Sequence, residues 1–132
     1  MTHAFADTAY YVALLNSREA LYTRARDLAR SSTFVTTTEY VLVEVANFFC
    51  PLGARNLFVT LAEQLRSSRT VTIVPSSSDL FWRGIKLFDA RPDKEWSLTD
   101  CISFEVMAEL GLTDALTADH HFEQAGFRAL LL

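Results

Sequence analysis

Near its start the chain makes a transition that few folds accommodate. The short apolar run Ala4-Phe5-Ala6 stops on an acid, Asp7. Thr8 then leads into Ala9-Tyr10-Tyr11-Val12-Ala13-Leu14-Leu15, which is too rich in helix-compatible apolar residues to be a loop. A buried strand feeding directly into a helix, with a carboxylate at the junction, is the unit of open α/β sheets. Such sheets bind ligands outside the carboxyl ends of their strands.

The same alternation continues along the chain. A second helix is expected from Ser17, as N-cap, to about Ala29, and a β-branched strand over Thr33–Thr36. A third helix is expected over Glu39–Phe49, apolar nearly all round and therefore buried. A fourth covers about Ala54–Arg66. Val71–Val74 runs almost solidly apolar, as a parallel strand buried on both faces does. Helix five is expected over Asp79–Ala90 with Phe81, Ile85 and Phe88 inward, and helix six over Leu98–Leu110, ended by Gly111. Strand Ala115–Thr117, a short helix Asp119–Ala125 and strand Arg128–Leu131 complete the pattern. Strands alternating with helices predict an α/β fold with a mainly parallel central sheet of about five short strands. Residues 1–132 have the size of a single domain.

The formal net charge of −4 argues against broad nucleic-acid binding by global charge. It does not exclude nucleic acid, because acids gathered around a cation would produce the same balance. The two cysteines, Cys50 and Cys101, have no metal spacing and read as buried small hydrophobes. No apolar run approaches the roughly 20 residues of a membrane span, and without a charged n-region and apolar h-region no signal peptide is expected. A cytoplasmic protein without membrane contact is expected.

Four acids in apolar surroundings stand out: Asp7, Glu44, Asp100 and Asp119. Three have a structural explanation, since an acid at a helix N-terminus satisfies free N–H groups and complements the helix dipole. Ser97-Leu98-Thr99-Asp100 fits a capping box, with Trp96 and Cys101 placed as a hydrophobic staple. Glu44 is different. It lies mid-helix among valines with no basic residue between Ser31 and Pro51, so burial would require pairing, protonation or a bound cation. Helical phasing sets Asp100 apart from Glu105 and Glu109, which project from the other side of their helix. Oxygen-only clusters suit Mg²⁺ or Mn²⁺.

Thr8, Thr99 and Thr117 each lie within two residues of an acid and could orient it or act as caps. His120 and His121 read as surface residues of a first turn, with an approach to the acids as the alternative. Arg18, Arg24, Arg26 and Arg30 read as a solvated face, with Arg18, Arg24 and Arg26 as candidate guides for nucleic-acid phosphates.

Four stretches resemble the PIN-domain family, and within it the VapC-type toxins of toxin–antitoxin pairs. They are Phe5-Ala6-Asp7-Thr8, Thr38-Glu39-Tyr40-Val41-Leu42-Val43-Glu44, Trp96-Ser97-Leu98-Thr99-Asp100-Cys101, and Ala115 through Phe127. Their order and spacing span essentially the whole chain. The resemblance implies a three-layer α/β/α fold and an acidic Mg²⁺/Mn²⁺ pocket built by Asp7, Glu44, Asp100 and Asp119, with Thr99 as a supporting hydroxyl. It implies endoribonuclease activity on single-stranded RNA, a homodimer, and inhibition by an antitoxin in a groove that Tyr10, Tyr11 and Tyr22 could line. Ala9 departs from the Ser or Asn often found at that position. Two rival readings remain: a non-catalytic interaction module in which the acids are caps, and a phospho-acceptor domain. The latter normally needs a Lys near the last strands, and only Lys86 and Lys94 are present.

Overall fold

The computed structural model describes residues 2–31 and 33–132. Five strands form one sheet: β1 (Thr2–Ala6), β2 (Thr33–Thr38), β3 (Val71–Val74), β4 (Asp114–Leu116) and β5 (Arg128–Ala129). Their spatial order is β3-β2-β1-β4-β5, and every pairing is parallel. The helices are α1 (Thr8–Leu15), α2 (Tyr22–Ala29), α3 (Glu39–Phe49), α4 (Arg55–Ser67), α5 (Ser78–Ala90), α6 (Leu98–Leu110) and α7 (His120–Gln124).

The chain lays down β1, β2 and β3 in one direction, then returns to place β4 on the other side of β1. Crossovers between parallel strands are right-handed, so this reversal sends α5 and α6 to the face opposite α1–α4 and produces three layers. It also opens a crevice between the carboxyl ends of β1 and β4, the switch point where such sheets bind ligands. Phe5, Tyr11, Val41, Val45, Ile102, Met107 and Phe122 are almost completely buried around the sheet.

Several local expectations need correction. The second helix begins at Tyr22 rather than Ser17. The Asn16 side chain accepts from the Arg18 N–H (3.1 Å), and tight turns from Asn16 to Glu19 and from Glu19 to Tyr22 use up the backbone donors. Helix α3 is not buried all round, since Val43 and Phe48 are exposed. Strand β3 is an edge strand and not buried on both faces: Thr72 is exposed and its neighbours are half-buried. On α5 the buried positions are Leu80 and Gly84, whereas Phe88 is 50% exposed. Cys101 is buried as expected, but Cys50 is exposed in the short 3-10 turn after α3.

Helices α5 and α6 meet at Gly84, where an added Cβ would collide with Cγ1 of the buried Ile102. Replacing a helical Gly with Ala gains about 1 kcal/mol of propensity, but overpacking a filled core costs about 1–3 kcal/mol. Gly84→Ala is therefore expected to lower stability by about 1 kcal/mol in urea denaturation, with part of the loss recovered by Gly84→Ala/Ile102→Val. A more stable single variant would show that the two helices can separate freely.

Candidate active site

The sheet register brings the first acid to its partner. Ala6 pairs with Leu116, which sets Asp7 beside Thr117 just beyond the strand ends. The Asp7 N–H donates to Leu116 O (3.2 Å), and the Thr117 hydroxyl donates to Asp7 Oδ2 (2.9 Å). Asp7 holds the N-cap position of α1, yet its side chain makes no capping bond. It is 5% exposed. Burial pushes its pKa from the ordinary 3.8 up to about 7; the Thr8 N–H and the Thr117 hydroxyl oppose the shift, and Asp100 and Glu44 add to it.

Glu44 reaches the same place from α3. Thr38 caps that helix by accepting from the Val41 N–H (3.1 Å), which aims the Glu44 turn back toward the end of β1. The half-buried Glu44 accepts a 2.6 Å hydrogen bond at Oε1 from the Thr8 hydroxyl. Among the described residues it has no basic partner within ion-pair distance.

Asp100 and Asp119 arrive with a histidine between them. Asp100 completes the capping box at the start of α6: the Ser97 hydroxyl accepts from its N–H (3.0 Å), and its Oδ2 accepts from the Ser97 N–H (3.2 Å). That same Oδ2 lies 3.0 Å from His121 Nδ1. Burial raises the Asp100 pKa; the His121 hydrogen bond opposes this and the Asp119 charge reinforces it. Asp119 caps α7 through Oδ1, which accepts from the His121 N–H (2.8 Å), and its own N–H donates to Thr117 Oγ1 (3.1 Å). His121 Nδ1 is 3.4 Å from Asp119 Oδ1.

These side chains line one cavity of about 420 Å³ bounded by Asp7, Thr8, Glu44, Glu95, Asp100, Asp119 and His121, with Ala9, Val12 and Phe48 as its apolar wall. No Lys or Arg is among its lining residues. Ligand atoms of Asp100, Asp119 and His121 lie within 4.8 Å of one another. Carboxylates gathered this closely, with His121 beside two of them and no Lys or Arg in the lining, are a donor set that a hard divalent cation satisfies.

The structure thus gathers the four acids singled out in the sequence. Thr8 and Thr117 each donate to one of them, whereas no hydrogen bond links Thr99 to an acid among the described residues. Two further residues join the site. His121 turns inward while His120 is exposed and pairs with Glu123 (3.0 Å), so the surface reading holds for His120 alone. Its place two residues after Asp119 was the available signal. Glu95 had none, because it sits in an irregular loop. Arg18, Arg24 and Arg26 do not line the cavity: Arg18 is exposed beyond α1, Arg24 donates to Leu130 O (2.7 Å), and Arg26 lies over the Tyr22 ring. Tyr10 and Tyr11 are buried in the core.

Fold and cavity together define an α/β domain that gathers carboxylates at the end of a parallel sheet. The chain belongs to the PIN domain family, whose sequence model matches residues 4–128. It is 29% identical over 124 residues to the 23S rRNA-specific endonuclease VapC20 of Mycobacterium tuberculosis, spanning 93% of this chain and 94% of that protein. The crystal structure of VapC20 from M. tuberculosis, described as a sarcin-ricin loop cleaving toxin, matches at a TM-score of 0.85 over 94% of this chain and 95% of that one. VapBC2 from Rickettsia felis, solved with a promoter DNA fragment, is 13% identical and shares the fold at a TM-score of 0.67 over 98% and 96% of the two chains.

The raised pKa of Asp7 makes stability depend on pH. Between its ordinary 3.8 and about 7 the folded protein retains a proton that the unfolded chain has lost. The stabilisation is complete below about 4 and disappears as pH rises through about 7. In EDTA, chemical denaturation is therefore expected to show stability falling across that window. At pH 8, Asp7→Asn should be more stable than the wild type by up to about 4 kcal/mol. Stability that rises across the window, with a weaker Asn variant, would contradict this.

Proposed function

We propose that this chain is a metal-dependent endoribonuclease of the VapC toxin class, cleaving single-stranded regions of RNA by attack of water on the phosphodiester. One observation carries the reading: acids from separate elements, at the ends of β1 and β4 and on α3 and α6, share one cavity that no Lys or Arg lines. Asp7, Asp100 and Asp119 would hold Mg²⁺ or Mn²⁺, directly or through water, with Glu44 binding its waters or a second ion. Such an ion supplies charge neutralisation at the phosphate and a more acidic water.

The protein's own groups do the rest. Thr117 orients Asp7, and Thr8 fixes one oxygen of Glu44 and leaves the other to accept a proton from the attacking water. His121 locks Asp100 and Asp119 in one arrangement. Asp7 gives up its raised-pKa proton when a cation binds, so cation affinity should increase with pH. Arg18, exposed at the surface and in no ion pair among the described residues, is the candidate of the three arginines for guiding distant RNA phosphates. The absence of any Lys among the cavity-lining residues weighs against a phospho-acceptor domain.

A structured ribosomal RNA loop, as in the VapC20 name, is the first substrate to test. The partners proposed are an antitoxin and a second copy of the chain. Val43, Leu57, Val59 and Trp82 are exposed apolar side chains that such contacts would cover. No described helix is long and apolar enough to cross a membrane, and a cytoplasmic location is proposed on the function. In Mn²⁺, wild type is expected to cleave RNA carrying such a loop, while Asp7→Asn and Asp100→Asn should each lose about 100-fold or more in kcat/KM. Variants as active as wild type would refute the assignment of the acids.

A further inference from the structure

A cavity of about 450 Å³ adjoins the acidic one, between the end of α5 and the start of α6. The two share Glu95, and the wall between them is Glu95-Trp96-Ser97. Trp96 is buried, donates from Nε1 to Gln124 Oε1 (3.0 Å), and packs edge-on against Phe104 (5.0 Å between ring centres). Its ring is therefore a fixed platform. Two cations sit over it: Arg91 Cζ lies 5.1 Å and Lys94 Nζ 6.0 Å from the ring centre.

Arg91 already displays the contact that a phosphate would use. Its Nε and terminal nitrogen form a fork on the two oxygens of Asp93, each at 3.0 Å. That pair is solvent-exposed, with side-chain exposures of 41% and 59%, so it is weak and exchangeable. A phosphate accepts the same bidentate fork. Lys94 has no ion-pair partner among the described residues. Phe88, half-exposed on the same cavity, presents an aromatic face of the kind on which single-stranded bases stack.

A charge argument favours occupation by nucleic acid. Without a bound cation the acidic cavity repels a phosphodiester strand, and side-chain cations beside it offset that repulsion. Asp89 and Glu95 line this second cavity beside Arg91 and Lys94, so its charges balance where the neighbouring lining has acids and no Lys or Arg. We propose that this cavity is a nucleotide subsite for the RNA strand next to the cut, with Arg91 and Lys94 holding a phosphate and Phe88 stacking a base. The subsite rests on the ribonuclease reading above and adds to it where the strand runs.

The experiment separates the two claims. Anisotropy of a labelled single-stranded RNA of about ten nucleotides, measured in EDTA across a salt series, reports binding. Cleavage in Mn²⁺ reports KM and kcat. Lys94→Ala and Phe88→Ala are each expected to weaken binding about fivefold to tenfold and to raise KM by a similar factor. Lys94→Ala should also flatten the slope of log affinity against log salt by about 0.7. Lys86→Ala, an equal change of charge on exposed α5 outside both cavities, should change neither. Equal effects of Lys86→Ala and Lys94→Ala would reduce the result to net charge and overturn the subsite. So would unchanged KM, binding and salt slope in Lys94→Ala, and the nuclease reading would survive either outcome. A wild type that cleaves no RNA would instead refute the nuclease, with the binding arm still deciding the cavity. Thermal melts of every variant exclude misfolding as the cause.

Discussion

The hydrogen bond from Thr117 to Asp7 joins the ends of β1 and β4, the neighbouring parallel strands from which the chain's connections leave in opposite directions. It holds a carboxylate where burial favours the neutral acid. Much of the site depends on this constraint. The β1–β4 register sets the distance, Asp7 forgoes the capping bond its position would allow, and α1 begins with Thr8 bound to Glu44. A fold seeking only stability would place an apolar residue at position 7.

The remaining acids are arranged to keep their charges close without collapsing onto a basic side chain. Some arginines elsewhere find acidic partners, as Arg83 does with Asp79, Glu105 and Glu109, and Arg128 with Asp114. Inside the cavity the only nitrogen base is His121, between Asp100 and Asp119. Capping bonds account for one oxygen of each of those two acids, so their structural and chemical uses coexist. The caps fix the carboxylates, which limits the reorganisation needed when a cation binds.

Much of this was legible in the sequence because the evidence was local. An apolar run ending on Asp7, a valine-rich helix carrying Glu44, and a capping box at Ser97–Asp100 are patterns within a few residues. Alternating strands and helices gave the parallel sheet, and the five strands lie close to their expected positions. Apart from the late start of α2, which local turns at Asn16 and Glu19 explain, what failed depended on neighbours distant in the chain. Val71–Val74 is apolar enough for a central strand, but strand order puts it at an edge. Phe88 lies one turn beyond Gly84 on the same face, but in the last turn of α5, where it opens onto the cavity beside Trp96. Glu95 and His121 enter the cavity through loop geometry and the return of β4, which periodicity does not encode.

The central claim is that four acids form one cation site, and the most direct measurement is the melting temperature with and without millimolar Mn²⁺. A ligand that binds only the folded state raises stability by mass action. Wild type should be stabilised by Mn²⁺, whereas Asp7→Asn/Asp100→Asn should melt at the same temperature with or without it. If Mn²⁺ shifted both proteins equally, or neither while the double variant was simply less stable, the acids would be caps and structural polar groups, and the account of the site would fail.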